Sequence, residues 1–265
     1  MSKKRHEVHA CPKLPSPVST LVYDFAHGHV IPEHFHPEDQ LVYASRGVMT
    51  VRTEEGTWVV PPRRAVWIPA KTAHSIVMSG PVSMRTLYLR ARMARNLPRN
   101  CCVVNVSRLL QELILHACQF PAMSRRLKAH AHLIDLILDQ LETVHAIPLQ
   151  LTSPSDSRAL RVAAILQRNP SETRSLVAIC REVGASKRTI ERVFERETNL
   201  SLGKWRQQLR LMRSLQQLAA GEKITSAALD VGYSTPSAFI AMFRKALGTT
   251  PRQYFEHSQT RTRSR

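Results

Sequence analysis

The chain has 265 residues, enough for one or two domains with a real core, and carries 38 Lys and Arg against 20 Asp and Glu, a formal charge of +18. Such an excess points to an anionic partner, nucleic acid before a membrane surface. Five cysteines with no CxxC spacing argue against a disulfide scaffold or a cysteine zinc site, no apolar run is long enough to cross a bilayer, and the opening segment MSKKRHEVHACPKLPSP lacks the apolar stretch of a signal peptide, so a reducing cytoplasm is expected.

From residue 17 to 90 the chain reads as short strands. LVYAS, VMTVRT, TWVVPP, AVWIPA, HSIVM and MRTLYL are rich in Val, Ile, Thr and aromatics, and RG, EEG, PPRR and GPVS separate them. Many short strands at this spacing predict a sandwich or barrel, placed at 1–104. Within it, GHVIPEHFHPEDQLVYASRG carries His34 and His36, with Gln40 and then Gly47 behind them, and WIPAKTAHSIVM adds His74. Alternate residues of a strand share a face, so His34 and His36 point the same way. His27 and His29 read as loop residues. Val42, Ala44, Ile76 and Met78 would make the interior mostly apolar. Trp58, Trp67, Tyr43 and Tyr88 either line that interior or belong to the core on the outer face, and periodicity does not separate the two.

This layout resembles the two cupin motifs, a Gly, two histidines one residue apart, an acid, a second Gly, and a later histidine. Gly28 and Gly47 fit the first motif. The sequence departs from the pattern at Gln40, where the acid stands, at Lys71, where a glycine stands, and at Met78, where an asparagine stands. In metal-binding cupins the three histidines and the acid hold one metal. Here His34, His36, Gln40 and His74 are read first as the polar floor of an effector pocket, and second as a divalent-metal site through His34, His36 and His74, since three neutral imidazoles suffice for some zinc sites.

The region 105–146 predicts helices that pack or dimerise. VSRLLQELILHAC places Leu109, Leu110, Leu113, Ile114 and Ala117 on one stripe, and RLKAHAHLIDLILDQLETV does the same with Leu133, Ile134, Ile137, Leu138 and Leu141. Both stripes either pack on the barrel or form a dimer interface. The stretch 147–157, with its prolines and polar residues, is the expected linker.

Beyond it the pattern is helical over 158–257, followed by a basic tail at 258–265 expected to be disordered. Pro154 to Arg265 carries 20 basic against 9 acidic residues. AICREVGASKRTIERVFERETNLS and SAALDVGYSTPSAFIAMFRKALGTTP are near-repeats. Each has a short helix, a VG turn, a polar cap and a second helix, which is helix-turn-helix. Glycine ends the first helix in a left-handed cap. Ser186 is placed to cap the helix after the first turn, and Ser234 or Thr235 the helix after the second, with Pro236 at its first position. Ile190, Val193 and Phe194 face inward, as do Phe239, Met242 and Phe243. Arg188, Glu191, Arg192 and Glu195 face outward. Between the copies, WRQQLRLMRSLQQLAAG is one amphipathic helix with a basic outer face. Units that read one face of DNA should sit about one helical turn, about 34 Å, apart.

The segment from Arg158 to Phe255 resembles the DNA-binding domain of AraC/XylS-type transcriptional regulators, most closely in VGYSTPSAFIAMFRKALGTTP. The resemblance implies that Arg188 and Arg192 read bases, with Glu191 either accepting from cytosine or balancing its neighbours. Lys187 and Arg196 fit phosphate contacts. The matching positions of the second unit are Ser237 and Ala241, which cannot grip guanine in bidentate fashion, while Arg244 and Lys245 can hold phosphates. A cupin-like barrel ahead of such a domain resembles the effector domain of the same family.

The expected architecture is therefore α+β in two domains, a cupin-like β-barrel with two linker helices and an all-α domain with two helix-turn-helix units. The expected function is a sequence-specific transcriptional regulator responsive to a small molecule. Its partners would be double-stranded DNA, an effector, a second copy of itself, and RNA polymerase if it activates. Two alternatives remain: a metal-dependent cupin enzyme with a helical appendage, and a protein that coats DNA without sequence preference. Gln40 and the paired helix-turn-helix units weigh against the first, and arginines at base-reading positions against the second.

Overall fold

The computed structural model describes residues 16–94, 97–142, 146–147 and 150–256, and the expected tail lies outside them. Contact divides the chain into two compact units that meet between Gln150 and Leu151, with Glu55–Thr57 grouped with the second.

The first unit is an antiparallel sheet. Its strands are β1 (Val18–Phe25), β2 (Val30–His34), β3 (Asp39–Thr53), β4 (Gly56–Val60), β5 (Arg64–Ile68), β6 (His74–Leu89) and β7 (Cys102–Asn105). After them come α1 (Arg108–Ala117), β8 (Ala122–Met123), α2 (Lys128–Glu142), β9 (Ala146–Ile147) and β10 (Gln150–Leu151). The main strand order is β8-β1-β6-β3-β5-β7-β9, with β2 also on β6.

The long strands β3 and β6 pair from Asp39 opposite Leu89 to Arg52 opposite Ser75, with register shifts between Ala44 and Val48. Directly opposed residues share a face. One face thus holds Gln40, Val42 and Ala44 against Tyr88, Thr86 and Met84, then Met49 and Val51 against Met78 and Ile76. The bulge is what moves inward-facing positions from even to odd numbers along β3. Gly47 sits in it with φ +79. The other face carries Leu41, Tyr43, Ala65, Trp67, Leu87 and Leu89, in one apolar cluster with Leu110 and Ile114 of α1 and Ile134, Ile137 and Leu141 of α2. Tyr43 and Trp67 therefore belong to the outer core. Trp67 Nε1 donates to Pro98 O at 3.1 Å. Both faces are buried, so the sheet curls around its own inner side chains.

The two helices expected within 105–146 form, and a short strand separates them: Pro121 has no N–H to continue a helical ladder, and the chain there adds β8 to β1, with Thr20 N donating to Pro121 O. Two finer expectations need correction. Leu109, expected on the buried stripe, is 49% exposed. Burial in α1 follows Leu110, Ile114 and Ala117, behind the cap that Ser107 makes to Leu110 N. The expected linker is also not wholly irregular, because β10 falls inside it.

The second unit is helical: α3 (Ser157–Arg168), α4 (Leu176–Glu182), α5 (Lys187–Thr198), α6 (Leu202–Ala219), α7 (Ile224–Asp230), α8 (Pro236–Leu247) and α9 (Pro251–Glu256). Side chains of Asp156, Ser175, Ser186, Ser201 and Thr235 cap α3, α4, α5, α6 and α8 by accepting from backbone N–H groups of the first turn. Trp205 is the centre of its first half. It stacks edge-on against Phe194 at 5.4 Å and donates from Nε1 to Thr152 O. The expected basic outer face of α6 is partly turned inward. Arg206 Nη2 donates to Glu172 O, and Arg210 Nε donates to Pro170 O at 3.0 Å while its guanidinium covers the Tyr233 ring. These bonds tie α6 to the segment ahead of α4 and to the turn ahead of α8.

Glu197, at the end of α5, accepts from Ser155 N, Ser155 Oγ and Asp156 N at 2.8, 3.0 and 3.2 Å. Arg196 pairs with it at 2.6 Å. The arginine first, then these N–H groups, hold the carboxyl down at about 2, against an ordinary 4.5. Stability from a depressed carboxyl is present above its unfolded value and lost as pH falls through the folded one. Glu197→Gln is therefore expected to lower the thermal midpoint at pH 7, with the gap to the parent closing between about 4.5 and 2. A constant gap across that range would show that charge is not what Glu197 contributes.

Candidate nucleic-acid interface and effector pocket

The two helical corners are built alike. After α4, Gly184 at φ +77 lets its own N–H reach Arg181 O and Ala185 N–H reach Cys180 O. After α7, Gly232 at φ +82 does the same, with Gly232 N–H on Leu229 O and Tyr233 N–H on Ala228 O. This is the Schellman closure, twice. Gly232 has a second reason to be glycine: a Cβ there would stand 2.9 Å from Ser171 Cα.

The caps then set the register of the second helices. Ser186 Oγ accepts from Thr189 N, and Thr235 Oγ1 from Ala238 N. Counted from these caps, Arg188 matches Ser237 and Arg192 matches Ala241. Ile190, Val193 and Phe194 are buried, as are Phe239, Met242 and Phe243. Arg188, Arg192 and Glu195 are exposed, and neither arginine side chain is bonded to another described residue. Lys187 pairs with Glu191 at 3.3 Å across one turn, so Glu191 balances the lysine rather than the arginines. Arg196 is held by Glu197. Ser237, Ala241, Arg244 and Lys245 are exposed on α8.

In the first unit, His34, His36 and His74 converge. One nitrogen from each ring lies within 4.8 Å of the others. The sequence placed His34 and His36 on one face, and β2 delivers His34 opposite His74 on β6. Each ring gives its Nδ1 proton to a backbone carbonyl: His34 to Pro32, His36 to Glu38 and His74 to Thr72, at 2.9, 2.8 and 2.8 Å. That fixes the tautomers and leaves the Nε2 lone pairs for other use. Burial pushes His74 down to about 4, so it is neutral at neutral pH. Its Nε2 is fully buried and has no partner among the described residues, which is costly unless something binds there.

Gln40, where the family pattern has an acid, joins the same cluster. Its Nε2 donates to Thr86 Oγ1, which donates to Leu41 O. Its Oε1 faces His36 Nε2 at 3.1 Å. Two acceptors so close call for a proton or a cation between them. Tyr88 completes this end, edge-on to His36 at 5.1 Å. It thus belongs to the inner face, unlike Tyr43 and Trp67. Lys71, in the place of the motif glycine, adopts φ +66 there and donates its N–H to His36 O. The backbone keeps the glycine conformation without the glycine.

Known proteins carry the same two parts. Residues 21–89 match the family described as Cupin domain and residues 179–257 that described as Helix-turn-helix domain. The HTH-type transcriptional regulator NimR of Escherichia coli is 32% identical over 229 residues, 86% of this chain and 84% of that protein. The chain belongs to the AraC/XylS family of transcriptional regulators. Over a shorter span, RipA of Corynebacterium glutamicum is 33% identical across 98 residues, 37% of this chain and 30% of that protein. Among solved structures, fatty-acid-bound ToxT of Vibrio cholerae aligns over 90% of this chain and 94% of its own, at 12% identity and a TM-score of 0.39.

As an AraC/XylS-type regulator the protein binds DNA and regulates transcription, and its relatives are regulators rather than enzymes. The enzyme alternative is thereby set aside. Among the described residues, no helix is long and apolar enough to cross a membrane. The pattern of α6 alone predicts Arg206 and Arg210 on its outer face, not bonded inward as they are. The signal was their spacing, four residues apart on the side of α6 that also carries Trp205 and Leu209.

Proposed function

We propose that α5 reads bases through Arg188 and Arg192 while an effector group at the histidine end of the barrel governs operator binding. The observation that carries the reading is the pair of arginines, exposed and unpaired among the described residues, in the first two turns behind a serine cap, the part of a second helix that enters a major groove. Arginine there offers two parallel donors to guanine O6 and N7. Lys187, Arg244 and Lys245 supply phosphate contacts, and Arg196 lends its charge from beside Glu197. Fluorescence anisotropy with duplexes from the gene's own upstream region and a scrambled control tests it. A preference that survives higher salt is expected. Equal binding that fades steeply with salt would mean attraction by charge alone.

Control by an effector requires that it bind two states of the protein unequally. The barrel interior is apolar, through Val42, Ala44, Ile76 and Met78, and one end is polar. This suits a small molecule with a polar head. The same atoms also fit a divalent cation, and the orphaned His74 Nε2 favours that reading. His34, His36 and His74 would hold it, with Gln40 Oε1 beside them, and it would offer a Lewis-acidic anchor for an oxygen of the effector. Chelator-treated protein is expected to bind one cobalt(II) per chain with visible d–d absorption, and His74→Ala to lose it. Absence of that absorption would leave the pocket as a hydrogen-bonding floor. The same proposal includes a homodimer through the outer sides of α1 and α2, where Leu109 and Leu136 are exposed, action in the cytoplasm, and contact with RNA polymerase where the protein activates.

A further inference from the structure

We infer that the second recognition helix, α8, reads thymine methyl groups, so that the operator is chemically two-sided: guanine under α5 and thymine under α8. This rests on the reading of both helices as entering the major groove. From Pro236 to Phe243 the helix is PSAFIAMF. It holds no guanidinium, ammonium, amide or carboxylate, and its one hydroxyl is Ser237. The helix α5, in the same register from its cap, is KRTIERVF over the same eight positions. Both present their outer face in the same way, because the Schellman turn, the cap and the buried Phe194 and Phe243 coincide. What differs is the chemistry offered.

On α8, Ser237, Ile240, Ala241, Arg244 and Lys245 line one shallow groove, which Thr250, just beyond the helix, closes. Its floor at Ile240 and Ala241 is apolar, and its C-terminal end is cationic. Charge complementarity names the occupant. Arg244 and Lys245 are exposed and, among the described residues, unpaired, suited to a phosphate backbone on one side of the helix. The apolar floor then meets base edges. Of the four base edges in the major groove, only thymine carries a methyl group, at C5. A purine edge would set polar atoms against Ala241 and leave them without a hydrogen bond, and cytosine has no methyl group to cover it. Ser237, which can donate or accept, tolerates either partner and adds little discrimination.

The test uses the full-length protein and duplexes selected by it from a random pool. Selected sequences are expected to carry a guanine-bearing half and a thymine-bearing half, centred about 10 base pairs apart. Each thymine is then replaced by deoxyuridine, which removes the methyl and nothing else. Loss of about fourfold in affinity is expected for each methyl contacted in the α8 half, and no loss in the α5 half. Ala241→Gln is expected to move the preference at one position from thymine to adenine, since glutamine can grip adenine N6 and N7. Binding that stays selective but is indifferent to deoxyuridine at every thymine would overturn the inference and leave the DNA-reading role of α5 standing. Selection that yields no preferred sequence would overturn the DNA-reading proposal itself.

Discussion

Arg192→Ala is expected to weaken binding to the selected duplex by about 1–3 kcal/mol and to flatten the preference at one base pair. The side chain is exposed and, among the described residues, unpaired, so its removal breaks no bond there and is expected to leave the thermal midpoint in place. What is lost is a bidentate contact that a wrong base cannot replace. Arg188, one turn nearer the cap, is expected to act in the same way at a neighbouring pair. Lys187 makes the contrast. It pairs with Glu191 at 3.3 Å, and a compact ammonium contacts phosphate without reading sequence. Lys187→Ala should weaken all duplexes alike and lower the salt slope by about 1. Anisotropy titrations of both variants on matched and single-mismatch duplexes separate the two roles. An equal loss on every duplex for Arg192→Ala would move that arginine to the phosphate group.

The helical unit was readable in advance because its signals are local. A left-handed glycine, a hydroxyl cap and an apolar i, i+3, i+4 triplet each act within one or two turns, and two copies of the set reinforce one another. The strands were readable for the same reason, as was the approach of His34 to His36. Three kinds of feature were not readable. The register shift between Ala44 and Val48 depends on pairing with a strand some thirty residues away, so alternation alone could not say that Met49 faces inward with Ala44. The split of Tyr43 and Trp67 from Tyr88 depends on which sheet face the helices cover. The carbonyl partners of Arg206 and Arg210 lie in a loop that precedes α4. The same holds for the orphaned Nε2 of His74: the residue was found from its motif, but its isolation follows from how β2, β3 and β6 close around it.

Gly47→Ala is expected to destabilise the first unit by more than about 3 kcal/mol, among the largest effects of a single methyl in this chain. Two costs add. At φ +79 a side chain pays the left-handed penalty of about 1–2 kcal/mol. The new Cβ would also stand 2.3 Å from Pro81 O, 2.8 Å from Val82 Cγ2 and 3.0 Å from Val82 Cα. Two of these atoms are backbone of β6, so no rotamer change relieves the overlap. The strand could escape only by pairing straight through the bulge. That would turn Met49 and Val51 away from Met78 and Ile76 and reverse every inner residue beyond it. Gly28→Ala is the control. It has nearly the same φ, +78, but open space at its Cβ, so it should cost only the conformational part. Chemical denaturation of both variants isolates the steric share as the difference between them. If the two glycines cost the same, β6 yields at Pro81, and the bulge is held by turn conformation rather than by contact. If they differ as expected, the bulge is what sets Gln40 and His74, on opposite sides of it along β3 and β6, facing one interior, and Gly47→Ala should also abolish cobalt uptake.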